Sequence, residues 1–229
     1  VMRRLSLSPV GKDNESCLVT ETSHACLTIN YILQHTSGLI VITYIPVNQN
    51  RKDNYCYNQE MKLLSHHRNI TIHGNSSKPV QAFSFCSLQI SASFYDKMQA
   101  ITFKNLYLKS SIISIFNVSV KIHNCILQNI SIMKYDSEKL HNKKAISAGV
   151  RHLAAVMIVK IDNCTILNSV PTHENVQPYS YVNIISSKSV RIFRLSVSNS
   201  IVNNLFIKTN SIFFHISFKN TVFAYSQTS

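Results

Sequence analysis

The sequence predicts an all-β chain: a single-stranded right-handed parallel β-helix with a short N-terminal capping helix. Three observations lead there. Val120-Lys121-Ile122-His123-Asn124-Cys125 and Val159-Lys160-Ile161-Asp162-Asn163-Cys164 read almost alike, with weaker copies at Ile101-Thr102-Phe103-Lys104-Asn105-Leu106 and Val190-Arg191-Ile192-Phe193-Arg194-Leu195. Within each copy apolar residues alternate with polar ones, which is the period of a strand. The unit recurs in steps of 19, 39 and 31 residues, then 22 more to an equivalent near Ile212. A unit returning at about twenty residues marks a coil of strands stacked about 4.8 Å apart.

Taken in order, residues 1–23 read as an irregular lead-in, with Gly11, Asp13 and Asn14 as turn formers. Over 24–35, Cys26, Ile29, Ile32 and Leu33 recur at three- and four-residue steps, a short amphipathic helix that Ser23 would cap. Gly38 then turns the chain into Leu39–Ile45, whose unbroken apolarity predicts burial on both faces. Residues 48–59 form a polar loop, and Ile70-Thr71-Ile72 with a turn at Gly74-Asn75 begins the next coil. The β-helix thus occupies 24–229, interrupted by surface loops near 134–144 and 171–179.

Each copy has inward candidates at positions 1, 3, 6 and 8, for example Val120, Ile122, Cys125 and Leu127. Asn105, Asn124 and Asn163 fall at the corner, since Asn tolerates the left-handed backbone of a tight bend. A leucine-rich repeat shares the Asn and the period but not the Leu spacing, and a β-sandwich would not repeat the corner Asn in register. The 39-residue step has two readings. Adjacent coils would bring Cys125 and Cys164 into disulfide range; an extra coil through 145–150 would hold them apart. The extra coil is the favoured reading, and with it stacked free cysteines.

At 229 residues, 45% apolar and 14% charged, the chain suits one folded domain rather than disorder. A net charge of +13 calls for an anionic partner, but the basic residues are dispersed and no zinc finger or nucleic-acid module accompanies them. The expected partner is an acidic polysaccharide or cell-surface glycan rather than nucleic acid. Six cysteines without a CxxC pair favour disulfides over zinc, with Cys17–Cys26 the expected bridge across a short polar loop. Sequons at Asn14, Asn69, Asn75, Asn117 and Asn129 point to the same extracellular compartment; a sixth, Asn163, lies in the repeat and is read as structural. The start Val1-Met2-Arg3-Arg4 has no apolar run to serve as a signal peptide, so the chain is read as a fragment or processed form. No stretch is long enough for a membrane span.

Ser8-Pro9-Val10-Gly11-Lys12-Asp13, followed by Cys17, Cys26, Thr28, Tyr31 and Leu33, and the Asn-Ile-Thr-Ile-His-Gly run of Asn69 to Gly74, resemble right-handed β-helix proteins of the pectin-lyase-like superfamily. The resemblance covers roughly residues 7 to 229 and implies a Ser-Pro-x-Gly-x-Asp turn leading into a helix that caps the solenoid. The chain departs by its scarce glycine and by His24-Ala25 where a proline often precedes the cysteine.

Hydrolases of this fold need clustered carboxylates, and its lyases use calcium held by several acidic oxygens. This chain has ten Asp and Glu, of which Asp162 alone falls in a clear repeat copy. Asp13/Glu15 and Asp136/Glu138 are close pairs in loops, and His66-His67 with His73 lacks an acidic partner for a metal. No catalytic residue, metal or cofactor is expected, and a polysaccharide lyase or glycoside hydrolase of the same fold is the alternative reading. What remains is a structural or recognition module. Outward position 2 holds Thr102, Lys121, Lys160 and Arg191, and position 4 holds Lys104, His123, Asp162 and Phe193. Lys104, Lys121, His123, Lys160 and Arg191 are therefore the candidate ligand-binding residues, a basic stripe beside an aromatic that would meet carboxylate or sulfate groups.

Overall fold

A computed structural model describes residues 2–19, 24–46, 59–63, 66–82, 87–92, 99–109, 112–116, 118–128, 130–134, 155–167, 182–186, 190–203 and 205–224. The chain begins with β1 (Met2–Leu7), a 3-10 turn (Glu15–Leu18), α1 (Ile29–His35) and β2 (Gly38–Tyr44). Strands then follow in triplets: β3 (Gln59–Leu63), β4 (His67–Gly74) and β5 (Val80–Ala82); β6 (Ser87–Ala92), β7 (Gln99–Lys104) and β8 (Leu106–Lys109); β9 (Ile112–Phe116), β10 (Val118–His123) and β11 (Ile126–Gln128). The later triplets are β12 (Ser131–Lys134), β13 (Ala155–Asp162) and β14 (Thr165–Leu167); β15 (Val182–Ser186), β16 (Val190–Ser198) and β17 (Ile201–Val202); β18 (Leu205–Thr209), β19 (Phe213–Lys219) and β20 (Val222–Phe223).

Each triplet contributes one strand to each of three parallel sheets. The largest, of eight strands, runs β1-β2-β4-β7-β10-β13-β16-β19, and two six-stranded sheets collect the first and third members of the triplets. The fold is therefore β-dominated and β-helix-like, a coil that visits three sheets in rotation around one core. The expected inward set is buried as read: Ile101, Phe103, Leu106 and Leu108 are fully enclosed, as are their counterparts from Val120 to Leu127 and from Val159 to Ile166. Burying such a column on the inward face of the stacked strands is the dominant stabilising term of the coil.

The corner is built as the Asn repeat implies. Asn105, Asn124, Asn163, Asn199 and Asn220 all have φ between 48 and 55°, a region that costs most L-residues about 1–2 kcal/mol. Their amides bond along the stack, Asn124 Nδ2 to Asn105 Oδ1 at 2.8 Å, Asn163 Nδ2 to Asn124 Oδ1 at 3.4 Å and Asn220 Nδ2 to Asn199 Oδ1 at 3.2 Å. In the β4 coil, Gly74 stands at this corner; a Cβ there would meet Asn105 O at 2.4 Å.

The structure corrects several expectations. The lead-in is not wholly irregular, because Met2–Leu7 joins the large sheet as β1, parallel to β2. The helix spans Ile29–His35 instead of 24–35, and its cap is Thr28, whose Oγ1 accepts Tyr31 N–H; Cys26 lies before it, bridged to Leu7. Ser23 and most of the loops at 134–144 and 171–179 fall outside the described residues. Strand β2 is buried on one face only: Ile40, Ile42 and Tyr44 point into the core, while Leu39 is 39% exposed. No extra coil separates the two best repeats, since β10 pairs directly with β13, Val120 opposite Val159. The 39 residues are one coil carrying an insertion, yet Cys125 and Cys164 are still buried free thiols.

The fourth copy sits in a different register. Val159 lies opposite Leu195, not Val190, and Leu195 lies opposite Ile216. Ile192-Phe193 lets the alternation be read in either phase, and the true corner, Asn199, selects the phase that buries Phe193, Leu195 and Val197. Arg194, read as the corner, is an exposed mid-strand residue instead.

Candidate functional site

The outward face of the large sheet gathers most of the candidate residues. Parallel, in-register pairing aligns Thr71, Thr102, Lys121, Lys160, Ser196 and Ser217 in one row across it. A second row, two residues further along each strand, holds His73, Lys104, His123, Asp162, Ser198 and Lys219. Lys104, Lys121, Lys160 and Lys219 are exposed. Lys121 and Lys160 therefore stand on adjacent strands, about 4.8 Å apart at the backbone.

Two expected members are displaced by the register of β16. Arg191 falls where the pairing of β13 with β16 shifts, between the Ala155 and Val156 partners, and so is not in line with Lys160. Phe193, the proposed aromatic neighbour, is fully buried. In their place Arg194 joins the face, exposed and opposite Ile158 and His215. The signal that would have found Arg194 is Asn199: counting back from the corner fixes which residues face outward.

Among the described residues Asp162 is the one carboxylate on this face, and it is fully engaged. Oδ1 accepts Ser198 Oγ at 2.7 Å and Asn199 Nδ2 at 2.9 Å, and Oδ2 lies 3.0 Å from His123 Nδ1. Those bonds, Ser198 first, then Asn199, with a smaller share from His123, hold the carboxyl below its ordinary range. By drawing Asn199 to itself, Asp162 takes the place of Asn163 in the corner ladder. The pairing with His123 is cross-strand, and its signal was present in the sequence: both occupy position 4 of neighbouring copies.

The cysteines belong to the corner rather than to chemistry. After four of the five corner Asn residues the chain places a small donor, Cys125, Cys164, Ser200 and Thr221, whereas Leu106 follows Asn105. Each donates back two residues, to His123 O, Asp162 O, Ser198 O and Lys219 O. Cys164 Sγ and Ser200 Oγ also accept from the backbone N–H of Cys125 and Cys164. The thiols here substitute for hydroxyls, and the contact with Cys125 together with burial pushes the Cys164 thiol well up.

At the other end, Cys17 and Cys26 form the expected disulfide, with Cα atoms 5.1 Å apart. Asp13 lies beside them, but its carboxylate is occupied: Oδ1 accepts Leu27 N–H and Thr28 N–H at 2.8 and 2.9 Å, and Oδ2 accepts the Thr28 hydroxyl at 2.6 Å. Its neighbour Glu15 is exposed at the start of the 3-10 turn. A shallow cleft beside this cap is lined by Ser8, Val10, Gly11, Lys12 and His24. His67, one of the histidine cluster, is buried with Nε2 3.0 and 3.1 Å from Leu33 O and Thr36 O, so it closes the C-terminus of α1. Asn14, Asn69 and Asn75 are exposed, while Asn117 and Asn129 lie outside the described residues. No helix among the described residues is long and apolar enough to cross a membrane. Comparison of the chain with protein-family models, curated proteins and solved structures finds no match.

Proposed function

We propose that this chain is an extracellular recognition module on a right-handed parallel β-helix of the pectin-lyase-like kind, and that the outward face of its eight-stranded sheet binds an extended acidic glycan. One observation carries the reading: Lys104, Lys121, Lys160, Arg194 and Lys219 are exposed on one flat face whose single described carboxylate, Asp162, is already bonded by its neighbours. Stacked strands repeat at about 4.8 Å, so the five strands that carry these residues lay out cations over about 19 Å along the coil axis. A linear polyanion lying across the strands would meet one coil after another, and several weak contacts add to useful affinity. The Cys17–Cys26 disulfide and the exposed sequons Asn14, Asn69 and Asn75 support an oxidising, glycosylating compartment.

The test is retention on immobilised heparin or polygalacturonate. Lys121→Glu/Lys160→Glu is expected to elute at clearly lower salt than wild type, since each reversal both removes an attraction and adds a repulsion. Equal retention would remove the reading.

A further inference from the structure

Resting on the extracellular, glycan-binding reading, the sequons sort by what the fold does with each amide. The motif Asn-x-Ser/Thr is required for N-linked glycosylation but common by chance, so the surroundings of the Asn decide. Asn163 belongs to the corner: its backbone is left-handed and its Nδ2 donates to Asn124 Oδ1 at 3.4 Å. Neighbouring coils flank it at about 4.8 Å on either side, so a sugar on that nitrogen would displace the ladder.

The β4 coil offers the opposite. Ile70 and Ile72 are buried, so alternation turns Asn69 and Thr71 together to the outward face. Asn69 is exposed, its partner on β7 is the small Ala100, and its side chain makes no hydrogen bond among the described residues. Past the end of the same strand, the sequon Asn75-Ser76-Ser77 crosses the corner beside Gly74. Its backbone is held there, Ser76 O accepting Asn105 Nδ2 at 3.1 Å and Ser77 O accepting Asn124 Nδ2 at 3.2 Å, while the Asn75 side chain stays exposed. The lysines of the outward face begin one strand later, with Lys104 on β7.

We propose that Asn69 and Asn75 both carry N-linked glycans, that Asn163 does not, and that the two glycans close the basic face on its β4 side, so that an acidic glycan docks from β7 onward. Transfer forms a bond from Nδ2 of the Asn to the anomeric carbon of an oligosaccharide carried on a lipid diphosphate. The bond from that carbon to the diphosphate oxygen breaks, its electron pair leaves with the lipid diphosphate, and Nδ2 gives up a proton to the transferase. Such carbohydrate is bulky and belongs on a surface that packs against nothing. Asn69 stands about 4.8 Å from β7 and about 10 Å from β10, at the margin of the Lys121–Lys160 pair and not over it.

The full chain, secreted from a glycosylating eukaryotic cell behind an added leader peptide, is mapped site by site by peptide mass spectrometry. Carbohydrate is expected at Asn69 and Asn75 and not at Asn163. Asn69→Gln and Thr71→Ala are each expected to lose the Asn69 glycan alone, and Asn75→Gln the Asn75 glycan alone; Thr71→Ala carries the test should Asn69→Gln fail to fold. A bare Asn69 or Asn75 in the folded secreted chain, or an occupied Asn163, overturns the assignment. Heparin retention of the glycosylated chain is then compared with that of the Asn69→Gln/Asn75→Gln double variant from the same cells, and both are expected to elute at similar salt. Retention of the double variant alone puts the carbohydrate over the cations and overturns the boundary. Failure of both to bind heparin removes the basic face and its boundary, while the two occupied sites stand on the mapping.

Discussion

The two ends of the coil solve the same problem differently. At the first, α1 lays Ile29, Ile32 and Leu33 over the core, tied down by the Cys17–Cys26 disulfide, by Asp13 and by His67. At the last described coil the inward column is open: Phe214 is 63% and Phe218 42% exposed, and Phe223 60%. Their partners one coil earlier, Phe193, Val197 and Val202, are enclosed. Identical positions thus differ only in whether something stacks on them. Coverage by the next layer, rather than the residue itself, makes a coil stable.

The largest expected effect measures that difference directly. Phe193→Ala or Phe103→Ala is expected to cost about 3–5 kcal/mol in urea unfolding. Phe214→Ala, directly opposite Phe193, is expected to cost less than about 1 kcal/mol, because little area leaves water there. If Phe214→Ala costs as much as Phe193→Ala, the open end is covered in solution.

The covered end has its own weak point at His67. A seven-residue helix is too short to stand alone, and its last carbonyls depend on this buried imidazole. His67→Ala is expected to cost about 1–3 kcal/mol through carbonyls left unsatisfied. Burial, then the nearby His66, lowers the His67 pKa below its ordinary 6.5. The folded state therefore binds fewer protons than the unfolded one, so this stabilisation is complete above about pH 6.5 and is lost as pH falls through the folded value. His67→Gln keeps a donor without the charge. Its melting temperature is expected to fall less than that of wild type between pH 7 and 5, and an unchanged slope would assign the acid sensitivity elsewhere.

Most of the core was legible because alternation plus a corner Asn fixes both face and phase. Every inward residue read from Ile101 to Ile166 is enclosed. The reading failed where one of those two signals was missing. In β16 the adjacent Ile192 and Phe193 blurred the phase, and a one-residue slip moves every side chain to the other face; hence Arg191 was chosen and Arg194 missed. In β1 the run Arg3-Arg4-Leu5-Ser6-Leu7 has only two apolar residues, Leu5 and Leu7, both buried, which is too short an alternation to mark a strand. The length of the Lys134–Ala155 connection suggests a further coil, but chain length carries no register, and only the pairing of Val120 with Val159 decides it. The basic face was half legible, Lys121 and Lys160 from their matching copies, while the His123–Asp162 pair required seeing that neighbouring copies touch.

The corner itself offers the finest comparison between the middle and the open end. Asn124 donates to Asn105 Oδ1 at 2.8 Å and to Ser77 O at 3.2 Å, and accepts from Asn163 at 3.4 Å. Asn220 has the same left-handed backbone but donates to Asn199 alone among the described residues. Replacement by Ala adds the same left-handed penalty to both, about 1 kcal/mol, whereas the lost amide bonds differ. Asn124→Ala is therefore expected to cost about 2 kcal/mol and Asn220→Ala about 1 kcal/mol in urea unfolding. Glycine in place of each Asn removes the backbone penalty and isolates the ladder. If Asn124→Gly matches wild type, the amide stack contributes nothing and the Asn repeat is a requirement of backbone geometry alone.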